Sequence, residues 1–164
     1  MNFIGGKCGY MPSDLLHRHK GEKIVAYWLG DVVMPHIFKG IMFAPEDKKQ
    51  AGAENLVKNV LPTALEMLDK LMCGTKYICG DTITQYDFQV AGVIMNLGMY
   101  NEMFLLKDVR PCLIKHGSDH MKMYVRCFAA EMGDYMEKRG KDHGKIRLHY
   151  FNLMGRAEPI RMML

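Results

Sequence analysis

Hydrophobic residues recur at helical spacing along most of the chain. The first such stripe begins after the segment PSDLL, where Ser13 is the predicted N-cap, and it fades near Gly40. Its members are Ile24, Val25, Trp28, Leu29, Val32, Val33 and Ile37. We therefore predict one long amphipathic helix in this part of the sequence.

A second stripe follows the segment APEDKKQ, in which Pro45 occupies a first-turn position and acidic residues come after it. Its members are Leu56, Val57, Val60, Leu61, Ala64, Leu65, Leu68 and Leu71. Pro62 lies inside this stripe. Because the hydrophobic spacing continues in phase beyond Pro62, we predict a helix that is kinked there and does not end.

The segment GDTITQYDF, residues 80–88, predicts the start of a third helix. Thr84 and Asp87 form a T-x-x-D pair, which is a capping box with Asp in the usual Glu position. Ile83 and Phe88 have the spacing of a hydrophobic staple. We predict a well-capped, buried helix from residue 85 to about residue 98, and a structural role for the Thr84–Asp87 pair.

Two more helices are predicted further along. DVRPCLIKHG predicts a short helix near Pro111, and Ser118 is the predicted cap of a longer one. The inward residues of the longer helix are Met121, Tyr124, Val125, Phe128, Met132 and Tyr135. Residues 13–139 thus contain five predicted helices and no strand. The first dozen residues are glycine-rich and aperiodic, which predicts a loop or the frayed end of another element.

Residues 145–164 have a different pattern. KIRLHYF alternates as a strand does, with Ile146, Leu148 and Tyr150 on one side. NLMGRAEPIRMML follows, with a glycine-containing turn that leads into a helix. A strand, a turn and a helix usually begin an α/β domain, whereas here they follow an all-helical segment.

Composition and charge argue against several classes of protein. A hydrophobic content of 49% with 24% charged residues is typical of a soluble globular protein. The net charge of +4 comes from intermixed acids and bases, which does not favour nucleic-acid binding. No apolar run reaches the roughly 18 residues that span a bilayer, and the N-terminus lacks the features of a secretion signal. We expect a cytoplasmic protein with no membrane span and no nucleic-acid partner.

The cysteines and histidines do not predict a metal site. The five cysteines are odd in number, widely spaced and without a CxxC motif, which argues against a disulfide framework or a zinc site. His116 and His120 flank a Gly-Ser pair, and His17 and His19 lie on different faces of a predicted helix. We therefore expect reduced thiols and no bound metal.

The segment KIRLHYFNLMGRAEPIRMML closely resembles the opening of cytosolic glutathione transferases, in particular the tyrosine-using, sigma-like classes with their YF…GRAEPIR pattern. GDTITQYDF resembles that family's capping box and hydrophobic staple. IGGKCGYMPSD resembles the end of the helix that closes its thioredoxin-like domain, with the linker that follows. The resemblance implies a mainly α fold: a glutathione transferase C-terminal-type helical bundle with a terminal β-α fragment of a thioredoxin-like domain.

The resemblance also implies a division of the chain. Residues 1–12 match the end of the thioredoxin-like domain and its linker, 13–140 the all-helical C-terminal domain, 141–144 a linker, and 145–164 the first strand and helix of a thioredoxin-like domain. In the family the thioredoxin-like half comes first, and no segment here resembles its other strands. The order is consistent with a permuted gene, a junction between tandem copies, or a fragment.

The resemblance assigns candidate site residues by position. Tyr150 matches the tyrosine that donates a hydrogen bond to the sulfur of glutathione, which stabilises the thiolate. Arg156 and, by a weaker match, Asp31 correspond to residues of the glutathione site. The electrophile pocket is assigned to Phe151, Met154 and Gly155.

The leading interpretation is a glutathione transferase-related protein of detoxification, with glutathione as co-substrate. It would conjugate the glutathione thiolate to small apolar electrophiles, or isomerise a substrate in a glutathione-dependent reaction, when another copy or subunit completes the glutathione site. A homodimer or a complementing chain is implied. The alternative is a non-catalytic helical module that serves assembly in a larger complex, and the missing glutathione-binding segments motivate it.

Overall fold

A computed structural model describes residues 2–99 and 106–134 of the chain. Within these ranges the fold is mainly α, and the β-type pairing there is a single bridge between Tyr77 and Gly80. The helices are α1 (Asn2–Lys7), α2 (Leu15–Val25, continued by the π-helical segment Ala26–Met42), α3 (Glu46–Asn55, the π-helical turn Leu56–Val60 and Leu61–Met72), α4 (Gln85–Met99), α5 (Val109–His116) and α6 (Asp119–Glu131).

Each of the five helices predicted between residues 13 and 139 corresponds to one of α2 to α6. Most of the predicted inward residues are buried, including Trp28, Leu68 and Phe128, each with no exposed surface. The predicted strand and helix at 145–164 and the linker at 141–144 lie outside the described residues. The mainly α fold class is therefore confirmed for the helical part of the chain.

One expectation about the first 14 residues needs correction. The N-cap of α2 is Asp14 and not Ser13, because the Asp14 carboxylate accepts a hydrogen bond from the His17 N–H at 3.0 Å. The glycine-rich segment before it, expected to be a loop or the frayed end of another element, contains the short helix α1. The segment after α1 is tied to the bundle, since the Tyr10 carbonyl accepts from the Gln85 N–H at 2.8 Å.

The second part of α2 is wider than an α-helix. Its residues bond from i to i+5, as in the Phe43 N–H to Phe38 carbonyl bond of 2.8 Å that ends the segment. The buried positions accordingly recur every four or five residues, at 24, 28, 32 and 33, 37, and 41. Pro35 lies inside this segment, where it has no N–H to donate.

The prediction that α3 continues through Pro62 is confirmed. A π-helical turn, Leu56–Val60, stands directly before it, and the Leu61 N–H donates to the Leu56 carbonyl. In a regular α-helix a proline ring would clash with the carbonyl four residues earlier. A wider turn just before Pro62 relieves this clash, because π-turns shift the hydrogen-bond register locally.

Helix α4 lies at the centre of the bundle. Its first turns bury Phe88, Val90 and Ala91 completely. The first half of α2 packs against α4, and its second half packs against α3, whereas α5 and α6 contact both α3 and α4. Among the described residues, no helix is long and apolar enough to cross a membrane.

Two glycines allow close approach between these helices. A Cβ added at Gly21 of α2 would lie 2.1 Å from the Tyr86 ring of α4. A Cβ added at Gly52 of α3 would lie 2.2 Å from the Gly40 carbonyl oxygen of α2. The antiparallel pair α2–α3 therefore has its backbones in contact near its connecting turn.

Candidate functional site

Asp31 is the one predicted glutathione-site residue within the described part of the chain. It is exposed on α2, and the half-buried Tyr27 lies one turn before it on the same helix. Burial, followed by the negative charge of Asp31, raises the pKa of Tyr27. The Tyr27 hydroxyl therefore stays protonated at neutral pH and can donate a hydrogen bond beside an exposed carboxylate. Sequence reasoning missed Tyr27, although its spacing of four from Asp31 was a usable signal.

The other predicted site residues lie outside the described residues. These are Tyr150, Phe151, Met154, Gly155 and Arg156. Their roles, and any proximity to Asp31, remain predictions from the resemblance.

Asp87 is the centre of a buried hydrogen-bond cluster at the start of α4. Its Oδ2 accepts from the Thr84 N–H and from the Thr84 hydroxyl, each at 2.8 Å, and its Oδ1 accepts from the Ile78 N–H at 2.9 Å. Asp87 has no exposed surface. Burial raises the pKa of Asp87, and the hydrogen bonds from Ile78 and Thr84 oppose that rise.

This cluster differs from an ordinary capping box in one bond. The Thr84 hydroxyl donates to the Asp87 carboxylate, and the Asp87 N–H donates to the Thr84 backbone carbonyl at 3.0 Å. The buried Tyr124 hydroxyl interacts with the same carboxylate. Burial and then the Asp87 charge raise the pKa of Tyr124 well above its ordinary value, so the phenol is neutral. The cluster thus fixes the backbone of Ile78 and Thr84 at the start of α4.

A second polar cluster joins three helices and a turn, and we name it the polar joint (Lys20, Asp69, Thr75 and His120). His120 Nδ1 lies 2.5 Å from Asp69 Oδ1, and its Nε2 lies 2.8 Å from the Thr75 carbonyl oxygen. Lys20 Nζ donates to the Met72 carbonyl at 2.9 Å and to the Thr75 hydroxyl at 3.5 Å. The polar joint thus closes the C-terminal end of α3 against α2 and the start of α6.

The buried thiols are poor nucleophiles. Cys79 Sγ donates to the His17 carbonyl at 3.2 Å, and Cys112 Sγ donates to the Val57 carbonyl at 3.3 Å. Burial raises the pKa of both thiols, which lowers their thiolate content at neutral pH. All five cysteines are free thiols. Among the described residues, no three His, Cys, Asp or Glu side chains are grouped to hold a metal ion.

A shallow cleft of about 140 Å³ lies between α3 and the segment that leads into α5. It is lined by Gln50, Ala53, Glu54, Val57, Lys58, Lys107 and Asp108. Ligand pockets usually measure roughly 300–1,000 Å³. As bounded by the described residues, the cleft is smaller than a usual ligand pocket.

A comparison with protein families decides the membership of the chain. The model of the glutathione S-transferase C-terminal domain matches residues 33–122, more than half of the chain. The chain belongs to this family. No curated protein and no solved structure matches it.

The matched part of this glutathione transferase C-terminal domain runs from the middle of α2 into the start of α6. It includes the Asp87 cluster and, in the polar joint, Asp69, Thr75 and His120. Asp31 and Tyr27 lie just before the matched range. The described residues are thus a glutathione transferase-related helical domain whose polar clusters organise its backbone.

Proposed function

We propose that the protein is a glutathione transferase of the tyrosine-using, sigma-like type. The observation that carries this proposal is the family match over residues 33–122, together with the YF…GRAEPIR motif that follows in the same chain. Its reaction is the conjugation of glutathione to small apolar electrophiles, or a glutathione-dependent isomerisation. Glutathione is the co-substrate.

In this mechanism Tyr150 donates a hydrogen bond to the sulfur of glutathione. A free thiol has a pKa of about 8.5 and is mostly protonated at pH 7, whereas the thiolate is the nucleophile. One O–H directed at the sulfur lowers that pKa, so the thiol loses its proton to solvent and the thiolate attacks the electrophile. Arg156 and the N–H groups of its helix start favour the anion.

The helical domain contributes to the same site in this proposal. The exposed carboxylate of Asp31 accepts a hydrogen bond from the α-amino group of glutathione across a dimer interface. Its exposure on α2, beside a neutral Tyr27, supports that role because the carboxylate is available to a ligand. The electrophile pocket is formed by the outer side of α2 with Phe151, Met154 and Gly155.

We propose that the glutathione site is completed by another copy or subunit. Residues 145–164 resemble one strand and one helix of a thioredoxin-like domain, and a single strand leaves its backbone donors without partners. Strands from a homodimer partner or from a complementing chain pair with it. In this arrangement the chain keeps the four units that the resemblance implies, which are residues 1–12, 13–140, 141–144 and 145–164.

One observation favours a second candidate, a non-catalytic helical module. The Asp87 cluster and the polar joint both bind backbone groups of the described residues. A module that serves assembly needs such internal order and needs no substrate site. Calorimetric titration of glutathione into the full chain, at dimer-forming concentration, separates the two: saturable binding supports the enzyme, and no heat at millimolar glutathione supports the module.

Tyr150→Phe is expected to lower the rate of conjugation at pH 7 by about 10- to 100-fold, because the variant cannot donate to the sulfur. The loss should shrink as the pH rises past the thiol pKa. Its free energy of unfolding should change by less than about 1 kcal/mol. Tyr10→Phe is the matched control, since it also removes one phenol hydroxyl. Equal conjugation by Tyr150→Phe and the unaltered chain would contradict the assignment of Tyr150.

A further inference from the structure

The polar joint requires a doubly protonated imidazole. The Thr75 carbonyl can only accept, so His120 Nε2 must carry a proton to bond it at 2.8 Å. Asp69 presents a carboxylate oxygen to Nδ1, which therefore carries a proton as well. With Asp69 as a carboxylate, both bonds form together when His120 is an imidazolium.

The turn between α3 and α4 is bonded to this joint at Thr75. Residues 73–80 contain three positions with left-handed backbone, Cys73, Gly74 and Gly80. The turn has no helix of its own. It has the Tyr77–Gly80 bridge and the bonds of the Thr75 hydroxyl to the Met72 and Tyr77 carbonyls, and groups from other elements bond to it as well. These contacts are His120 and Lys20 at Thr75, Glu131 at Tyr77, Asp87 at Ile78, and the His17 carbonyl at Cys79.

We propose that His120 is a pH-sensitive latch that holds the 73–80 turn closed when it is protonated, and that its deprotonation loosens the turn and uncovers the Cys79 thiol. The groups that face the imidazole are the Asp69 carboxylate from α3, the Thr75 carbonyl from the turn and the Lys20 ammonium from α2. A neutral imidazole has one N–H, so it keeps only one of its two bonds, and the other acceptor faces a lone pair.

The direction of the pH effect follows from these neighbours. Burial alone lowers the pKa of His120, but the bond to the Thr75 carbonyl and the Asp69 carboxylate outweigh it and raise the pKa above the ordinary 6.5. A histidine whose pKa is raised on folding contributes stability that is complete below the unfolded value and is lost as pH rises through the folded value. The latch is therefore closed in mild acid and opens on the alkaline side.

The test is alkylation of the full chain by N-ethylmaleimide across the range from mild acid to mild alkali, with each modified cysteine quantified by peptide mass spectrometry. The readout is the rate of alkylation at Cys79 divided by the rate of alkylation at Cys112. Both thiols are buried, so this ratio removes most of the pH dependence that comes from thiol ionisation itself. We expect this ratio to rise about tenfold with pH, the effect of one lost charge-assisted bond.

His120→Gln should show a high ratio that no longer changes with pH. His116→Gln is the matched control, because His116 is exposed on neighbouring α5, and it should behave as the unaltered chain does. Asp69→Asn keeps the imidazole and should move the midpoint of the pH-dependent rise in this ratio to lower pH. This variant is the test if His120→Gln does not fold. A ratio that is flat in the unaltered chain, or an unchanged midpoint in Asp69→Asn, would overturn the latch.

Discussion

Asp87→Ala is expected to lower the free energy of unfolding by about 4 kcal/mol. The substitution leaves three donors buried without an acceptor: the N–H groups of Ile78 and Thr84 and the Thr84 hydroxyl. Each unsatisfied buried donor costs about 1–3 kcal/mol. The substitution also removes a buried charge whose desolvation destabilises the fold. The net loss in the free energy of unfolding is therefore smaller than the summed cost of the three unsatisfied donors. Urea unfolding followed by far-UV circular dichroism measures the difference.

Two companion variants make this result specific. Asp81→Ala changes an exposed carboxylate in the same segment and should stay within about 0.5 kcal/mol of the unaltered chain. Asp87→Asn keeps one accepting oxygen but turns an NH₂ group toward a donor, so its loss should be intermediate. A loss below about 1.5 kcal/mol for Asp87→Ala would mean that water or another group satisfies these donors.

Gly52→Ala is expected to destabilise the fold by about 3 kcal/mol, although alanine is the better helix former by about 1 kcal/mol. The added Cβ would lie 2.2 Å from the Gly40 carbonyl oxygen, an atom of the α2 backbone that cannot rotate away. The two helices must separate, which opens the packing between them. The same urea unfolding experiment measures this loss.

Gly30→Ala is the matched control for Gly52. Gly30 also lies in a helix, but a Cβ there would meet no atom within 4 Å. It should therefore leave stability unchanged or raise it by up to about 1 kcal/mol. We therefore expect Gly52→Ala to lower the free energy of unfolding and Gly30→Ala to leave it unchanged or raise it. A stabilising Gly52→Ala would mean that α2 and α3 do not approach as closely as described.

The helices were predictable because each one buries a continuous face. The stripe from Ile24 to Ile37 and the spacing on both sides of Pro62 predicted α2 and α3 without further information. The π-helical geometry was not predictable. Val32 and Val33 are both hydrophobic, so the sequence fits a hydrophobic repeat of four or five residues as well as the α-helical repeat of about 3.6. Over so short a stretch the two repeats cannot be distinguished.

Polar groups were predictable only where their partners are close in sequence. Thr84 and Asp87 are three apart, so their spacing alone predicted a bond between them. Asp69 and His120 are 51 positions apart, and no local pattern relates them before the chain folds. The sequence places His120 near His116, a pair that does not predict a metal site, and it gives no sign of the bond to Asp69. Asp31 was assigned by resemblance, and Tyr150 stays a prediction.

The contact between Tyr10 and α4 bears on how this domain is cut out for expression. The Tyr10 carbonyl accepts from the Gln85 N–H, the Tyr10 ring packs edge-on against Phe88 at 4.9 Å, and Gly5 lies against the Gln85 side chain. In a recombinant chain that began at residue 13, the first turn of α4 would lose the Tyr10 carbonyl as a hydrogen-bond acceptor and the Tyr10 ring as a packing neighbour. The contacts of Gly5 and Tyr10 therefore make this N-terminal segment part of the packing around α4.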